Sequence, residues 1–306
     1  MNMAHDAHSH AAGALEVVLP LAALAAVTTG YLILAWRRAR EPRGWNSWRT
    51  ICFLGGMTML AIALMPQVSP FPVGDFRAHM HHHLLIGMYA PIGLVLGAPI
   101  TLVLRSVPAR GGRAIGRALR SRPSHLLAHP VTALVLSLGG LIALYFTPLY
   151  GMTTTNAVLH HAVHVHFLVA GYLFAWVIAG PDPAPRRPSV PFRLVILGVA
   201  IAGHAVISQL MYAGAFVQIA VPPQQLRGAG ELMYYGGDVA ELLIALALVT
   251  TWRHRRRSPR LAGATASASV RTADRQTDGG DHRPVADSSL IPRASGEVET
   301  GAARGG

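Results

Sequence analysis

Lysine is absent from the chain, and cysteine nearly so. All 26 cationic residues are arginine, and Cys52 is the single thiol. One thiol can neither close an intrachain disulfide nor build a multi-thiolate metal site, which leaves imidazole, thioether and carboxylate as the available metal ligands. Charge of either sign is scarce, at 13% of 306 residues, where soluble domains carry about 25%. Acidic residues number 14, and the formal charge of +12 rests on side chains that stay protonated. Apolar residues fill the space, 52% of the chain, together with 16 histidines and 10 methionines. That is a membrane protein's balance. A basic surface suits nucleic acid or anionic lipid. Here the arginines lie beside apolar runs and not in a folded basic domain, which points to the lipid bilayer and away from nucleic acid.

Crossing about 30 Å of hydrocarbon takes about 20 apolar residues. Seven runs offer this: Ala14–Trp36, Thr50–Met65, His83–Leu104, Pro130–Thr147, Ala157–Ala179, Leu194–Phe216 and Met233–Trp252, the second somewhat short. The first has no basic leader and is followed by Arg37, Arg38 and Arg40, so it reads as a span and not a signal peptide. Arginine then sets the orientation. The connections after runs one, three and five and the C-terminal segment hold 24 arginines, and the opposite side holds only Arg77 and Arg227.

The expected fold is an all-α integral membrane protein, a bundle of seven transmembrane helices with the N-terminus outside and the C-terminus cytoplasmic, in a bacterial plasma membrane. Residues 1–13, with His5, His8 and His10, read as an extracytoplasmic tail, residues 14–252 as the transmembrane domain, and residues 253–306 as a basic, then disordered cytoplasmic tail. From about Ser258 the composition holds too little apolar surface to offset chain entropy. The loop from Arg105 to His129 is expected to lay a basic amphipathic turn on anionic lipid. No internal repeat is visible, and the oligomeric state is not encoded in any pattern seen.

Histidines gather at the outer ends of runs three and five, as His79-Met80-His81-His82-His83 and His160-His161-Ala162-Val163-His164-Val165-His166. Residues four apart share a helix face, so His79 with His83 and His160 with His164 are candidate two-ligand metal clamps. Further inward, His204, Ser208 and Met211 form a polar stripe on run six, and Asp238 with Glu241 share a face of run seven. Ionisable groups inside a membrane are costly and face the protein interior by default. Met80, His161, His166, His204, Asp238 and Glu241 are therefore additional ligands or orienting partners; packing, a structural hydrogen bond or a place among the headgroups are the plainer readings for each. Imidazole and thioether without thiolate suit a copper ion, and also zinc or iron. Pro91 lacks the amide that the Gly87 carbonyl would bind, which should loosen the third helix below the cluster.

Two other function classes fit parts of this pattern. A b-type cytochrome would ligate haem between facing helices, with His164 and His204 as candidates. A transition-metal transporter would use His204, Asp238 and Glu241 as a relay. Neither a nucleophile–base pairing nor an HExxH motif supports a hydrolytic enzyme.

The run His79-Met80, His83-Leu84-Leu85, Ala90-Pro91 and Leu94-Val95-Leu96-Gly97-Ala98-Pro99-Ile100-Thr101 resembles the signature helix of the CtaG-type cytochrome c oxidase assembly factors. His164, His166, Gly171, Phe174, Trp176, Gly180, Asp182 and Pro183 are similar to that family's next patch, and Gln225, Gly230, Met233 and Gly236 to its last. The resemblance covers roughly Arg49 to Trp252. It implies a non-enzymatic accessory that holds or passes copper, outside the membrane or within its outer leaflet, to a cytochrome c oxidase subunit. The family's histidine motif carries over to His79 and His83 only; His81 and His82 depart from it.

Overall fold

Every regular element among the described residues is helical, as an apolar chain in hydrocarbon requires when each backbone amide must be satisfied within its own segment. The computed structural model describes residues 3–65, 68–185 and 187–277, with side chains for 18–65, 68–185 and 187–252. In order the helices are α1 (Met3–Ala39), α2 (Ser47–Ala63), α3 (Phe76–Leu84), α4 (Ala90–Leu96), α5 (Pro99–Ser106), α6 (Ala109–Leu119), α7 (Arg122–Leu127), α8 (Pro130–Tyr145), α9 (Leu149–Thr155), α10 (Ala157–Ile178), α11 (Val190–Ala213) and α12 (Pro223–Thr277). The chain forms two units. Met1–Arg255 carries every membrane-length helix, and Arg256–Gly306 continues as helical backbone to Thr277. The side chains of His5, His8 and His10, and residues 278–306 of the expected cytoplasmic tail, lie outside the described residues.

Five segments are long and apolar enough to cross a membrane: Val18–Ala39, Phe76–Ser106, Ala157–Ile178, Val190–Ala213 and Pro223–Trp252. A sixth forms if α8 and α9, bent by 74° at their junction, count as one span. The structure thus has five to six candidate spans against the seven apolar runs of the sequence. The shortfall is α2, whose 17 residues cover roughly 26 Å at 1.5 Å each. It is nonetheless locked into the bundle. Gly56 on α2 and Gly93 on α4 let the two backbones touch, since a Cβ on Gly93 would sit 2.7 Å from the Cys52 carbonyl.

The third span shows how local chemistry shapes the interior. Asp75 caps α3 by accepting from the Arg77 amide at 2.8 Å, so the helix starts seven residues before the apolar run does. Between α3 and α4, Leu85–Tyr89 form a wide π-helical turn in which the Ala90 amide reaches back to the Leu85 carbonyl. This stands where Pro91 leaves the Gly87 carbonyl without its usual partner. That carbonyl points at α10, where Gly171 has no side chain to obstruct it.

α4 then breaks at Ala98, held left-handed at φ 51°, a conformation that costs an ordinary residue about 1–2 kcal/mol. The buried Asp182 carboxylate holds the break in place, accepting from the Ile100 amide at 2.9 Å, the Thr101 amide at 2.8 Å and the Thr101 hydroxyl. Gly97-Ala98-Pro99-Ile100-Thr101 and Gly180-Pro181-Asp182-Pro183, distant in sequence, are therefore one joint. Exposed valines and leucines along α1, α10, α11 and α12 face outward as a lipid-facing surface.

Candidate functional site

α3 and α10 bring the outer histidines into one neighbourhood. His79 lies within electrostatic reach of His164, His160 and His82. On α10 the one-turn spacing does what it promises, placing the His160 and His164 rings 4.3 Å apart. On α3 the two rings take different partners. The His79 ring stacks on Phe76 at 5.6 Å, whereas His83, one turn deeper, packs edge-on against Phe167 at 4.4 Å. Tyr145 stands beside both rings, 6.0 Å from His79 and 6.2 Å from His83.

Tyr145 was not among the residues singled out by sequence. Its fully buried hydroxyl lies 3.4 Å from His79 Nε2 and donates to Met80 Sδ at 4.0 Å. Met80, wholly buried, is thereby a packing residue and hydrogen-bond acceptor of the tyrosine. The only forward signal for Tyr145 is an aromatic hydroxyl at the end of an apolar run, which must find a partner when buried.

The other cluster residues divide. His161 is exposed, with its ring 5.7 Å from His160. His166 faces α8, its Nε2 3.2 Å from the Leu136 carbonyl, and is committed there. Buried nitrogens without a hydrogen-bond partner remain on His81 (Nδ1), His82 (Nε2) and His83 (Nδ1). Such free imidazole nitrogens are what a metal ligand requires. No group of three or more His, Cys, Asp or Glu side chains is poised to grip a bare ion among the described residues.

A second polar assembly lies deeper. His204 on α11 and Glu241 on α12 face each other with Nδ1 and Oε1 3.9 Å apart, both almost fully buried. The imidazole can lie this close because position 237 is glycine, and any β-carbon there would occupy the ring's space. Ser208 is buried and donates to the His204 carbonyl at 2.9 Å. Together with His83, Gly87, Met88 and Ser137, the pair borders a cavity of about 40 Å³. Asp238, half-buried, is not part of its lining.

At the N-terminus of α3 Asp75 and Arg77 form a bidentate pair, with the Arg77 Nη2 2.7 Å from Asp75 Oδ2. Hydrogen bonding to that guanidinium holds the Asp75 carboxyl below the usual carboxylate range. Next to it the Phe76 amide donates to Gln225 Oε1 at 3.1 Å, tying α3 to α12. Tyr89 makes a second tie, donating to the Gly236 carbonyl at 2.8 Å.

Several membrane-length helices enclosing a histidine-rich interior define a multi-pass membrane protein. The chain belongs to the cytochrome c oxidase caa3 assembly factor family, whose profile matches residues 29–255. Uncharacterised proteins of Mycobacterium bovis and Mycobacterium tuberculosis are each 33% identical over 237 residues, 71% of this chain and 36% of theirs. One of Mycobacterium leprae is 33% identical over 183 residues, 58% of this chain and 28% of its own. The chain thus spans about a third of the length of the first two relatives. No solved structure matches.

Proposed function

We propose that this protein is a non-enzymatic assembly factor that holds copper at the extracytoplasmic side of the membrane and passes it to a cytochrome c oxidase subunit. The ligands in this reading are His160 and His164 on α10 with His79 and His83 on α3. The observation that carries it is the approach of the His160 and His164 rings to 4.3 Å, within electrostatic reach of His79. Copper is cargo here, and the free nitrogen on His83 is the kind of donor it would take. A cargo site gains from being incomplete. When the four histidines do not all bind at once, coordination positions stay open for donor and recipient, so the ion can be exchanged.

The reading also takes α2 and the α8–α9 pair as spans. That gives seven crossings, the N-terminus outside, the C-terminus in the cytoplasm, and the histidine ends of α3 and α10 on the outer side. Arginine placement supports it. A haem site between His164 and His204 is disfavoured, because His204 faces a cavity of about 40 Å³, room for a few waters or an ion but not a porphyrin.

Copper analysis of the purified protein tests the proposal. Wild type should carry copper, and His160→Ala/His164→Ala and His79→Ala/His83→Ala should each lose it while remaining folded, with the oxidase of the same cells short of copper. Full copper occupancy in both double variants, with normal oxidase, would sink the proposal.

A further inference from the structure

At the end of α10 away from the paired histidines, a groove of about 620 Å³ opens between α7, the start of α8 and the chain leading into α11. Ala128, which lines it, packs in one cluster with Ala175, Trp176 and Val177 at the C-terminal end of α10. The rest of the lining is Arg122, His125, His129, Arg187 and Pro188. Four of these side chains are basic and none is acidic.

Local chemistry sets each of them. Ser121 caps α7 by accepting from the Ser124 amide, and Arg122 and His125, one turn apart, share a face of that turn. His129 caps α8: its Nδ1 accepts from the Val131 amide at 3.3 Å, so the ring hydrogen sits on Nε2, a donor. Arg187 spends one of its five donors on the Asp182 carbonyl at 2.6 Å, which ties it to the joint that Asp182 makes with Ile100 and Thr101.

Two guanidiniums on one groove, with no carboxylate in its lining, make a field of a single sign that an anion relieves. Guanidinium is weakly hydrated and its fork matches phosphate oxygens. The volume falls within the ~300–1,000 Å³ of small-molecule sites. The flank selects a lipid over a soluble phosphate. Leu126 and Leu127, between lining residues His125 and Ala128 in the chain, are 65% and 43% exposed, and the exposed Phe192 ring lies 6.4 Å from that of His129. A soluble phosphate leaves these side chains bare, whereas acyl chains cover them.

We propose that this groove is a specific site for an anionic phospholipid, its phosphodiester held by Arg122 and Arg187, with His125 and His129 as further donors and its acyl chains lying over Leu126 and Leu127. Basic pockets at membrane-helix ends take anionic headgroups in this way. The site differs from the diffuse attraction of α6, whose Arg110 and Arg113 are exposed and stand outside the groove. It is independent of the copper reading.

Native mass spectrometry of the full-length protein in detergent, with dioleoylphosphatidylglycerol or dioleoylphosphatidylcholine added, tests the proposal. One phosphatidylglycerol should bind per chain, roughly tenfold or more tighter than phosphatidylcholine. Arg122→Gln/Arg187→Gln should lose that preference, and Arg110→Gln/Arg113→Gln, which removes the same charge from α6, should keep it. Melting temperature checks folding, and Arg122→Gln/His125→Gln, at two exposed positions, carries the test should the Arg187 substitution disturb the Asp182 joint. The proposal is overturned if the two lipids bind alike, if the α6 variant weakens binding as much as the groove variants, if the folded groove variants bind unchanged, or if glycerol 3-phosphate displaces the lipid at equal concentration, the outcome for a pocket that takes a soluble phosphate.

Discussion

At the scale of single residues, Tyr145 and Asp75 separate two kinds of polar contact. Tyr145 touches His79, Met80 and Phe76 from the core, but its 3.4 Å contact to His79 Nε2 is long for a hydrogen bond involving a hydroxyl. Tyr145→Phe should therefore lower stability by about 1 kcal/mol or less, measured by thermal unfolding in detergent, and leave copper occupancy unchanged. A copper loss equal to that of His79→Ala would instead make the tyrosine a ligand or essential orienter.

Asp75 differs because its partner is a cation. Its folded-state affinity for protons is depressed, so its contribution is complete above the ordinary carboxylate value of 3.8 and disappears as pH falls through the lower folded value. Wild type should lose stability in that acid window, and Asp75→Asn should lack this component. Parallel melting curves for the two proteins from pH 6 to the acid limit check the sign.

At the scale of elements, the sequence pattern carried some helices and hid others. The one-turn histidine pair on α10 could be read directly, because spacing within a helix is spacing in space. α9 could not: Leu149–Thr155 contains three threonines, and the gap between apolar runs reads as a loop. The structure shows why it is helical, since Thr153, Thr154 and Thr155 return their hydroxyls to the carbonyls of Tyr150, Gly151 and Met152 and so carry their own polarity. The His204–Glu241 approach is half legible, because both residues fall in the relay pattern with Asp238, but that His83 borders the same cavity is not. Each residue is visible alone, but which faces meet across three helices is decided by glycine contacts such as Gly237, not by spacing along one chain.

The break at Ala98 shows the same dependence on distant sequence. Its left-handed backbone makes sense only with the Asp182 carboxylate on Ile100 and Thr101. Asp182→Ala should cost about 2–3 kcal/mol, the value of a buried charge-assisted cap, with Asp182→Asn recovering part of it. Thermal unfolding of the two variants tests this, and a loss below about 0.5 kcal/mol for the alanine would mean that the joint is held by packing alone.

At the scale of the whole molecule, the number of crossings decides which side the histidines face. Length alone supports five or six spans. If α2 crosses, the connection before it, at Arg43, and the connection after it, at Val73, lie on opposite faces of the membrane; if α2 only dips in, they share one. The backbone contact of Gly56 with α4 argues for crossing, because α4 belongs to a span and α2 lies flush against it. Arginine argues the same way, with five residues from Arg37 to Arg49 on one side of α2 and only Arg77 on the other before the next span. The single native thiol makes the experiment clean. In a Cys52→Ser background, Val73→Cys, at a position 87% exposed, should react with a membrane-impermeant maleimide added outside intact cells, and Arg43→Cys should react only after lysis. Thr154→Cys, exposed at the C-terminal end of α9 just before α10, should behave as Val73→Cys does, since the copper proposal needs both histidine ends outside. Labelling of Arg43→Cys and Val73→Cys from the same side would remove α2 from the spans. Labelling of Thr154→Cys only after lysis would turn the His160–His164 pair toward the cytoplasm, where no oxidase copper site on the outer face could receive from it.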